Sequence, residues 1–526
     1  MTVFHAIYVG STSACFELEN KSPYYAPEPY AVLLDGITVR EGRENVFSLF
    51  GLKPGMSYEV TLRVGDEGHT VAITTKNESC AVSVKDFGVK GDGVTEDTAA
   101  IQRAILLLPE DGRLVFPAGT YLTGPILLKS HMTLELTEGA TLKGLTDKAA
   151  YPVIPARVID LNSGDDLNVG TFEGLDRNMY ASLITAEFAE DIRIVGPGRV
   201  DGDAQNGTWW TTFKQDPVAR PRLLFFNACN NVTVHGIDAA NSASWQLHPY
   251  KSWNMAFYDV SVSAPKDSPN TDALDPESCD GVDIVGCRFS VGDDCIAIKS
   301  GKLGGKTDQH WAAIQHTIRN CRMAFGHGAI TLGSEISGGV KELTVSQCLF
   351  SKTDRGLRIK TRRGRGRDCD IDDIAFDNIR MEGVLTPVVL NMWYNCVDPD
   401  GNSDYVQNRA PMARDERTPR LGKFTFTNMT CVDAEAAAAY CDGLPEQPIE
   451  SVTFENVSVT FAKDARPFVP SMYTHAVPRC RLGFYFDNVQ KVHIKNVRLE
   501  GYVGKAVEKG TVGEIILEEF EEKPYV

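Results

Sequence analysis

Short apolar runs, closed by polar or turn-forming residues, recur along most of this chain. They fall at 133–136, 192–195, 223–226, 232–234, 282–285, 317–318, 343–345, 374–376, 424–426, 452–454 and 492–494. The runs are rich in β-branched and aromatic residues, and Asn often flanks them, as in Asn230-Asn231-Val232. Helical periodicity nearly vanishes beyond residue 113. Repetition of strand-length runs at short intervals predicts a solenoid of stacked strands.

The central coils fix a register. With Ile284, Ile318 and Val345 taken as equivalent, Ile296, Ile330 and Leu357 follow twelve residues later, and Ile298, Leu332 and Ile359 fourteen later. All six are apolar, as inward-facing positions of a second strand should be. The blocks between then align: Gly292-Asp293-Asp294-Cys295, Gly326-His327-Gly328-Ala329 and Thr353-Asp354-Arg355-Gly356. Leu274 lies one coil before Ile296, which puts Asp272 in the column of Asp294 and leaves Asp293 in that of His327. Stacked strands lie ~4.8 Å apart, so residues of one column are neighbours.

The first 80 residues carry a different pattern. Alternating runs at 6–8, 14–18, 30–34, 46–50, 58–64 and 69–74, separated by turns, predict a small β-sandwich (domain 1–80) ahead of the solenoid (81–526). The piece from Gly51 to Val60 resembles the turn-plus-strand signature of fibronectin type III modules, in which the Leu packs inward and the Tyr anchors a corner. Such a module would space the domain or shield a cleft. The run Asp97-Thr98-Ala99-Ala100-Ile101 has helical spacing with an Asp able to cap it, and predicts a helix closing the open end of the solenoid. This entry segment resembles that of right-handed parallel β-helices of the pectin-degrading superfamily.

Asp and Glu outnumber Lys and Arg by 70 to 53, a net charge of −17, which disfavours nucleic acid or an anionic membrane as partner. An anionic substrate would need a local basic patch. The 13 cysteines show no CxxC or Cys/His metal spacing and read as small buried hydrophobes in a reducing compartment. No basic-then-apolar leader and no run of ~18 apolar residues is visible. The expectation is therefore cytoplasmic, or secreted or periplasmic if a leader has been removed. Oligomeric state is not legible.

Three carboxylates, a histidine and two cations thus converge on one outer face: Asp272, Asp293, Asp294, His327, Arg358 and Lys360. Like charges this close cannot all ionise, so at least one carboxyl should have a raised pKa. That is what glycosidic cleavage requires, one carboxylic acid protonating the leaving oxygen while a carboxylate activates water. His327 beside Asp293 could tune its proton, and Arg358 and Lys360 could bind a substrate carboxylate.

The four blocks Asn270-Thr271-Asp272, Gly292-Asp293-Asp294, Gly326-His327-Gly328 and Arg358-Ile359-Lys360 resemble the signature of polygalacturonases, glycoside hydrolase family 28. The resemblance spans about 82–500. It implies an all-β, right-handed parallel β-helix and inverting hydrolysis of α-1,4-galacturonosyl bonds without cofactor or metal, acting on pectin or galacturonic-acid oligosaccharides. By motif position, Asp293 would be the general acid, Asp272 and Asp294 would hold and deprotonate water, His327 would support the acid, and Arg358 and Lys360 would bind galacturonate. Asn270 would contact substrate or fix its turn. Tyr394 matches a family tyrosine that contacts sugar. Trp245 and His248 lie upstream on the same face, where Trp245 would stack on a sugar or join the core.

The run Arg355–Arg367 holds seven basic and no acidic residues, and is expected to add a site for an anionic oligosaccharide, with Arg365 in it. Asp275 and Glu277 add acid near Asp272. Segments 145–185, 299–315 and 395–420 look like insertions, and with the N-terminal module they point to a blocked cleft and exo action. The rivals are a rhamnogalacturonan or xylogalacturonan hydrolase on the same fold, a Ca²⁺-dependent polysaccharide lyase, and a non-catalytic carbohydrate-binding β-helix.

Overall fold

In the computed structural model, which describes residues 3–212, 215–303, 311–396 and 400–525, the apolar runs become rungs of three ladders of parallel strands. Two ladders join through short corners into a 25-stranded sheet; the third comes in sections of four and seven strands, linked through bridges at Leu247–Leu274 and Leu274–Ile296. A central coil runs through Asp280–Val285, Arg288–Ser290 and Ile296–Ile298 before the chain climbs to the next coil at Ala313–Arg319. The molecule is a right-handed parallel β-helix.

The register is the one the apolar spacing predicts. Ile284 pairs with Ile318 and Ile318 with Val345; Ile296 pairs with Ile330 and Ile330 with Leu357; Ile298, Leu332 and Ile359 follow. All nine side chains are fully buried in one continuous core. Burying each contributes roughly 1.5–3 kcal/mol. A one-residue slip would turn every inward side chain outward, so the apolar column also fixes which way Asp293 and Asp294 face. The run 223–226 differs from the other solenoid runs: it belongs to the third ladder, as Leu224–Asn227.

The helix Thr98–Leu107 buries Ile101, Ala104 and Ile105 against the first coils. Asp97 stands at its N-cap position without capping it. Its carboxylate instead accepts the backbone N–H groups of Lys90 and Gly91, each at 2.8 Å, and ties down the preceding loop.

Residues 3–74 form a three-stranded and a four-stranded antiparallel sheet around a separate core. Leu52 is buried in that core, and the Tyr58 hydroxyl accepts the Lys53 N–H at 2.8 Å, which pins the turn before the strand. The strand Ile37–Glu44 escapes the sequence pattern because it is a polar, exposed edge. The sandwich docks on the corners that follow the first ladder: Gly286 lies against Val46, and Arg319 pairs with Glu17 at 3.0 Å. It contributes no residue to the cleft described below, so it does not shield it. Among the described residues no helix is long and apolar enough to cross a membrane.

Candidate active site

The corners between the second and third ladders carry the chemistry. Backbone bonds stack them one on another: Ala273 N–H donates to Asp294 O at 3.1 Å, His327 N–H to Asp293 O at 3.1 Å, and Asp354 N–H to Gly326 O at 3.0 Å. The glycines either side of His327 are dictated by space. Gly326 has φ +92°, and a Cβ there would sit 2.7 Å from Asp293 O. A Cβ on Gly328 would lie 2.3 Å from Thr331 Oγ1 and 2.9 Å from Asp294 Oδ1. Only glycine lets the Asp294 carboxylate occupy its place.

One carboxylate oxygen from each of Asp272, Asp293 and Asp294 lies within 4.8 Å of the other two. Asp294 is fully buried, with Oδ1 2.9 Å from Arg358 Nη1 and Oδ2 2.7 Å from Lys360 Nζ. Burial pushes its pKa up, but Lys360 and Arg358 override this and hold the carboxyl far below the usual range. Asp272, 4% exposed, makes no salt bridge among the described residues, and the pull of Lys299 on it is outweighed. Burial, Asp275 and Asp293 push its pKa well above the usual value. Asp275, buried beneath, is itself raised by burial to about 8 against the pull of Lys299. Asp293 is the part-exposed member, and one of its oxygens accepts the Asp294 N–H at 3.0 Å. The cluster thus holds a fixed anion beside a carboxyl that keeps its proton, and in so tight a group the proton belongs to the set. The three oxygens have the spacing of a cation site, but both Asp294 oxygens are already occupied by Arg358 and Lys360, which a metal would have to displace.

His327 stands in the column of Asp293, as the register requires, and its ring turns toward the next coil. Its Nδ1 donates to Asp354 Oδ2 at 2.8 Å, not to Asp293, and this bond is the first cause of its raised pKa, with burial opposing and Asp293 and Asp294 adding to it. Asp354 is the site residue the sequence reading left out. The register contained it, since Ile330 pairs with Leu357 and the same offset carries His327 to Asp354.

A cavity of 1260 Å³ opens over these groups. Asn270, Asp272, Asp293, His327, Arg358, Lys360, Tyr394 and Arg365 all line it, and Asp294 lies buried behind that lining, bonded to Arg358 and Lys360.

Comparison with known proteins follows the same residues. The profile of Glycosyl hydrolases family 28 matches residues 167–469, and that of Rhamnogalacturonase A/epimerase, pectate lyase-like, matches residues 81–159. A Vitis vinifera protein described as a probable polygalacturonase is 30% identical over 73% of this chain and 75% of its own length. The chain belongs to glycosyl hydrolase family 28. An exo-poly-alpha-D-galacturonosidase of Dickeya chrysanthemi is 26% identical over 73% of this chain and 68% of its own. The solved structure of a Yersinia enterocolitica family 28 exopolygalacturonase shares the fold, at a TM-score of 0.61 and 20% identity, covering all of this chain and 98% of that one.

Within this family 28 glycoside hydrolase, other sequence expectations resolve residue by residue. The Asn270 side chain is held by Arg220, whose Nη2 donates to its Oδ1 at 2.6 Å. Trp245 is 3% exposed and one face is already stacked on Phe172, at 5.5 Å, so it is not a free platform for a sugar. His248 is buried with Nε2 3.1 Å from Glu277 Oε2. Tyr394 sits over Lys360, with Nζ 5.8 Å from its ring centre.

The basic run is not one patch. Arg363 is buried in a salt bridge to Glu446 at 2.6 Å, Arg355 donates to the Val469 carbonyl at 2.8 Å, and Arg367 is exposed. Arg363 and Arg367 stand apart from the cavity, while Arg355, Arg358, Lys360, Arg362 and Arg365 line it.

The expected insertions do wall the cleft: Glu173, Leu175 and Arg177 from the first, Lys302 and Leu303 from the second, Asn395, Cys396 and Asp400 from the third. Residues 304–310 of the second and 397–399 of the third lie outside the described residues. A fourth wall, supplied by Phe468, Val469, Met472, Tyr473, His475 and Ala476, was not anticipated. It comes from a loop without periodicity, tethered through Arg355.

Proposed function

We propose that this enzyme hydrolyses α-1,4-galacturonosyl linkages of pectin-derived galacturonan, acting from a chain end on oligogalacturonides. The observation that carries the reading is Asp294 held as an anion by Arg358 and Lys360, against Asp272 with its raised pKa and Asp293 at the cavity surface. A fixed base and a retained proton lie side by side, and the cations that fix the base also line the cavity where a uronate carboxylate would lie.

In this mechanism the one proton the three carboxyl groups share stands on Asp293 when substrate is bound, leaving Asp272 ionised, and passes to the glycosidic oxygen as the bond to the anomeric carbon breaks. A water held by Asp272 and Asp294 forms the new bond to that carbon and leaves its proton on the pair. His327, oriented by Asp354, returns a proton to Asp293 and takes another from solvent, while the pair releases the proton it took from water to solvent, which closes the cycle. Carboxyl groups of inverting glycosidases ordinarily stand about 6.5–9.5 Å apart and those of retaining enzymes about 5–5.5 Å. The present cluster, with one oxygen of each carboxyl within 4.8 Å of the others, is tighter than either. Inversion therefore rests on the family resemblance, and the anomer first released decides it.

Chain-end action is supported by the walls. Three insertions and the 468–476 loop surround the cavity, which suits a terminus better than a polymer lying through a groove. The relative from Dickeya chrysanthemi carries an exo-acting name. Incubation with trigalacturonate and longer oligomers, with products separated by chromatography, tests this. Monogalacturonate alone as the early product is expected; a spread of oligomers would refute chain-end action.

A further inference from the structure

The outward side chains of the third ladder form the cleft floor, and one buried lysine there has no part in the steps above. Lys299 stands in the column of Lys360, two coils below it, and Asp275 in the column of Arg358, three coils below. Lys299 is 3% exposed and Asp275 is wholly buried. Lys299 Nζ lies 3.4 Å from Asp275 Oδ1 and 3.1 Å from Glu335 Oε2, with the Trp245 ring centre at 4.6 Å. Protein groups thus hold the ammonium on three sides. A buried charge is costly unless it is paired, so this position is built rather than incidental.

Its partners do not neutralise it. Asp275, raised to about 8 chiefly by burial, is largely uncharged at neutral pH, and neither of its oxygens accepts a hydrogen bond. Burial pushes the Glu335 carboxyl up, but Lys299 and Lys302 pull it well below the usual range, and Lys302 Nζ stands 3.5 Å from its other oxygen. Two lysines therefore share one anion. Glu277, raised by burial to about 7, and His248, driven well below its usual value by burial and by Arg222 and Lys299, complete the charged surroundings. The rest of the Lys299 charge acts on the carboxyl groups of the site. Asp272 is pushed up by burial, Asp275, Asp293 and Asp294, and Lys299 pulls it down. Arg220 also feels Asp272, but its guanidinium is bonded to the Ala243 and Pro269 carbonyls at 2.7 and 3.0 Å and to Asn270 Oδ1 at 2.6 Å.

We propose that Lys299 is a positioning residue for hydrolysis: anchored on Glu335 and Asp275, it supplies across the cleft floor the positive charge against which Asp272 works as a base, as Arg358 and Lys360 do for Asp294. This rests on the galacturonan reading above and deepens it, because that mechanism needs Asp272 ionised in a place where burial and three carboxyl groups oppose its charge. The cations of the cleft then divide into a pair bonded to Asp294 and one that acts on Asp272 without touching it.

The test is the pH dependence of kcat and KM on trigalacturonate in the parent, Lys299→Gln, Glu335→Gln and the double variant. The base must be ionised, so the acid limb of the kcat profile follows its protonation. Losing Lys299 raises the pKa of Asp272, and the limb should move up by about one pH unit, with kcat about tenfold lower on its acid side, kcat retained above it and KM near the parental value. Glu335→Gln acts with the opposite sign. Without that anion Lys299 pulls harder, and the limb should move to lower pH. In the double variant the Glu335→Gln shift should be absent. A raised KM with an unmoved limb in Lys299→Gln would make the lysine a substrate-binding cation and overturn the proposal, as would a Glu335→Gln shift that persists without Lys299. If Lys299→Gln does not fold, Glu335→Gln decides: a limb at lower pH upholds the role and an unmoved limb overturns it. Each of these results leaves galacturonan hydrolysis standing, whereas a parent inactive on trigalacturonate would overturn both.

Discussion

Both oxygens of Asp294 are engaged by cations, at 2.9 and 2.7 Å, while Asp272, one coil below, is pushed up by burial and by Asp275 and Asp293. The two carboxylates are chemically alike in the sequence, and only their neighbours separate their roles. The columns show which residues are near one another. They do not show which way a ring turns, because a shared column fixes Cα positions and leaves χ free. That is why the sequence placed His327 beside Asp293 and missed its bond to Asp354. Asp354→Asn tests the bond. It removes the first cause of the raised His327 pKa, so that pKa should fall, and the alkaline limb of the kcat/KM profile should move to lower pH with it. NMR titration of the His327 ring alongside the pH–rate profile would check this; an unmoved limb would show that Asp354 has no such role.

The strand Arg355–Lys360 is buried at every position, although Leu357 and Ile359 face the core and Arg358 and Lys360 face the cleft. Its outward side is covered by the 468–476 loop, where Asn391 Nδ2 also donates to the Met472 carbonyl at 2.8 Å. The apolar alternation of this strand, and of the rungs beside it, was legible because period-two burial leaves a mark on sequence. The covering loop was not, since irregular backbone held by arginine–carbonyl bonds has no period to read. The Gly326–Gly328 corner is legible twice, as a motif and as a space requirement. Gly328→Ala should keep the β-helix, whose core it does not touch, but displace Asp294 from Arg358 and Lys360, because the new methyl would sit 2.9 Å from its Oδ1. The expected outcome is a fall in kcat of at least about a hundredfold, in line with the loss of a positioned catalytic group, with an unchanged far-ultraviolet circular dichroism spectrum. Near-parental kcat would contradict the geometric account.

At the scale of the molecule, charge is partitioned. The chain is acidic overall, its last strand Val512–Pro524 carries Glu514, Glu518, Glu519, Glu521 and Glu522 along an open edge, and the cleft gathers cations. Charged residues on that edge discourage pairing with another chain. The sandwich is joined to the β-helix through His235, fully buried between Ser13 Oγ, 3.1 Å from Nδ1, and Ser48 Oγ, 2.9 Å from Nε2, and stacked on Phe50. Burial draws its pKa from 6.5 down to about 4, against the opposing pull of Asp259. Between those values the unfolded chain takes a proton that the folded chain refuses. Its contribution is therefore intact above pH 6.5 and is lost as pH falls toward 4, by about 3 kcal/mol. His235→Gln should flatten the acid side of the stability–pH curve measured by urea unfolding, and an unaltered slope would refute the assignment. The central claim is tested most directly by following trigalacturonate hydrolysis by ¹H NMR in the parent and in Asp293→Asn. The account predicts the β-anomer as the first sugar released by the parent, no unsaturated ends, and a loss of at least about a thousandfold in kcat in the variant. The α-anomer first, an unsaturated product, or undiminished activity in Asp293→Asn would contradict it.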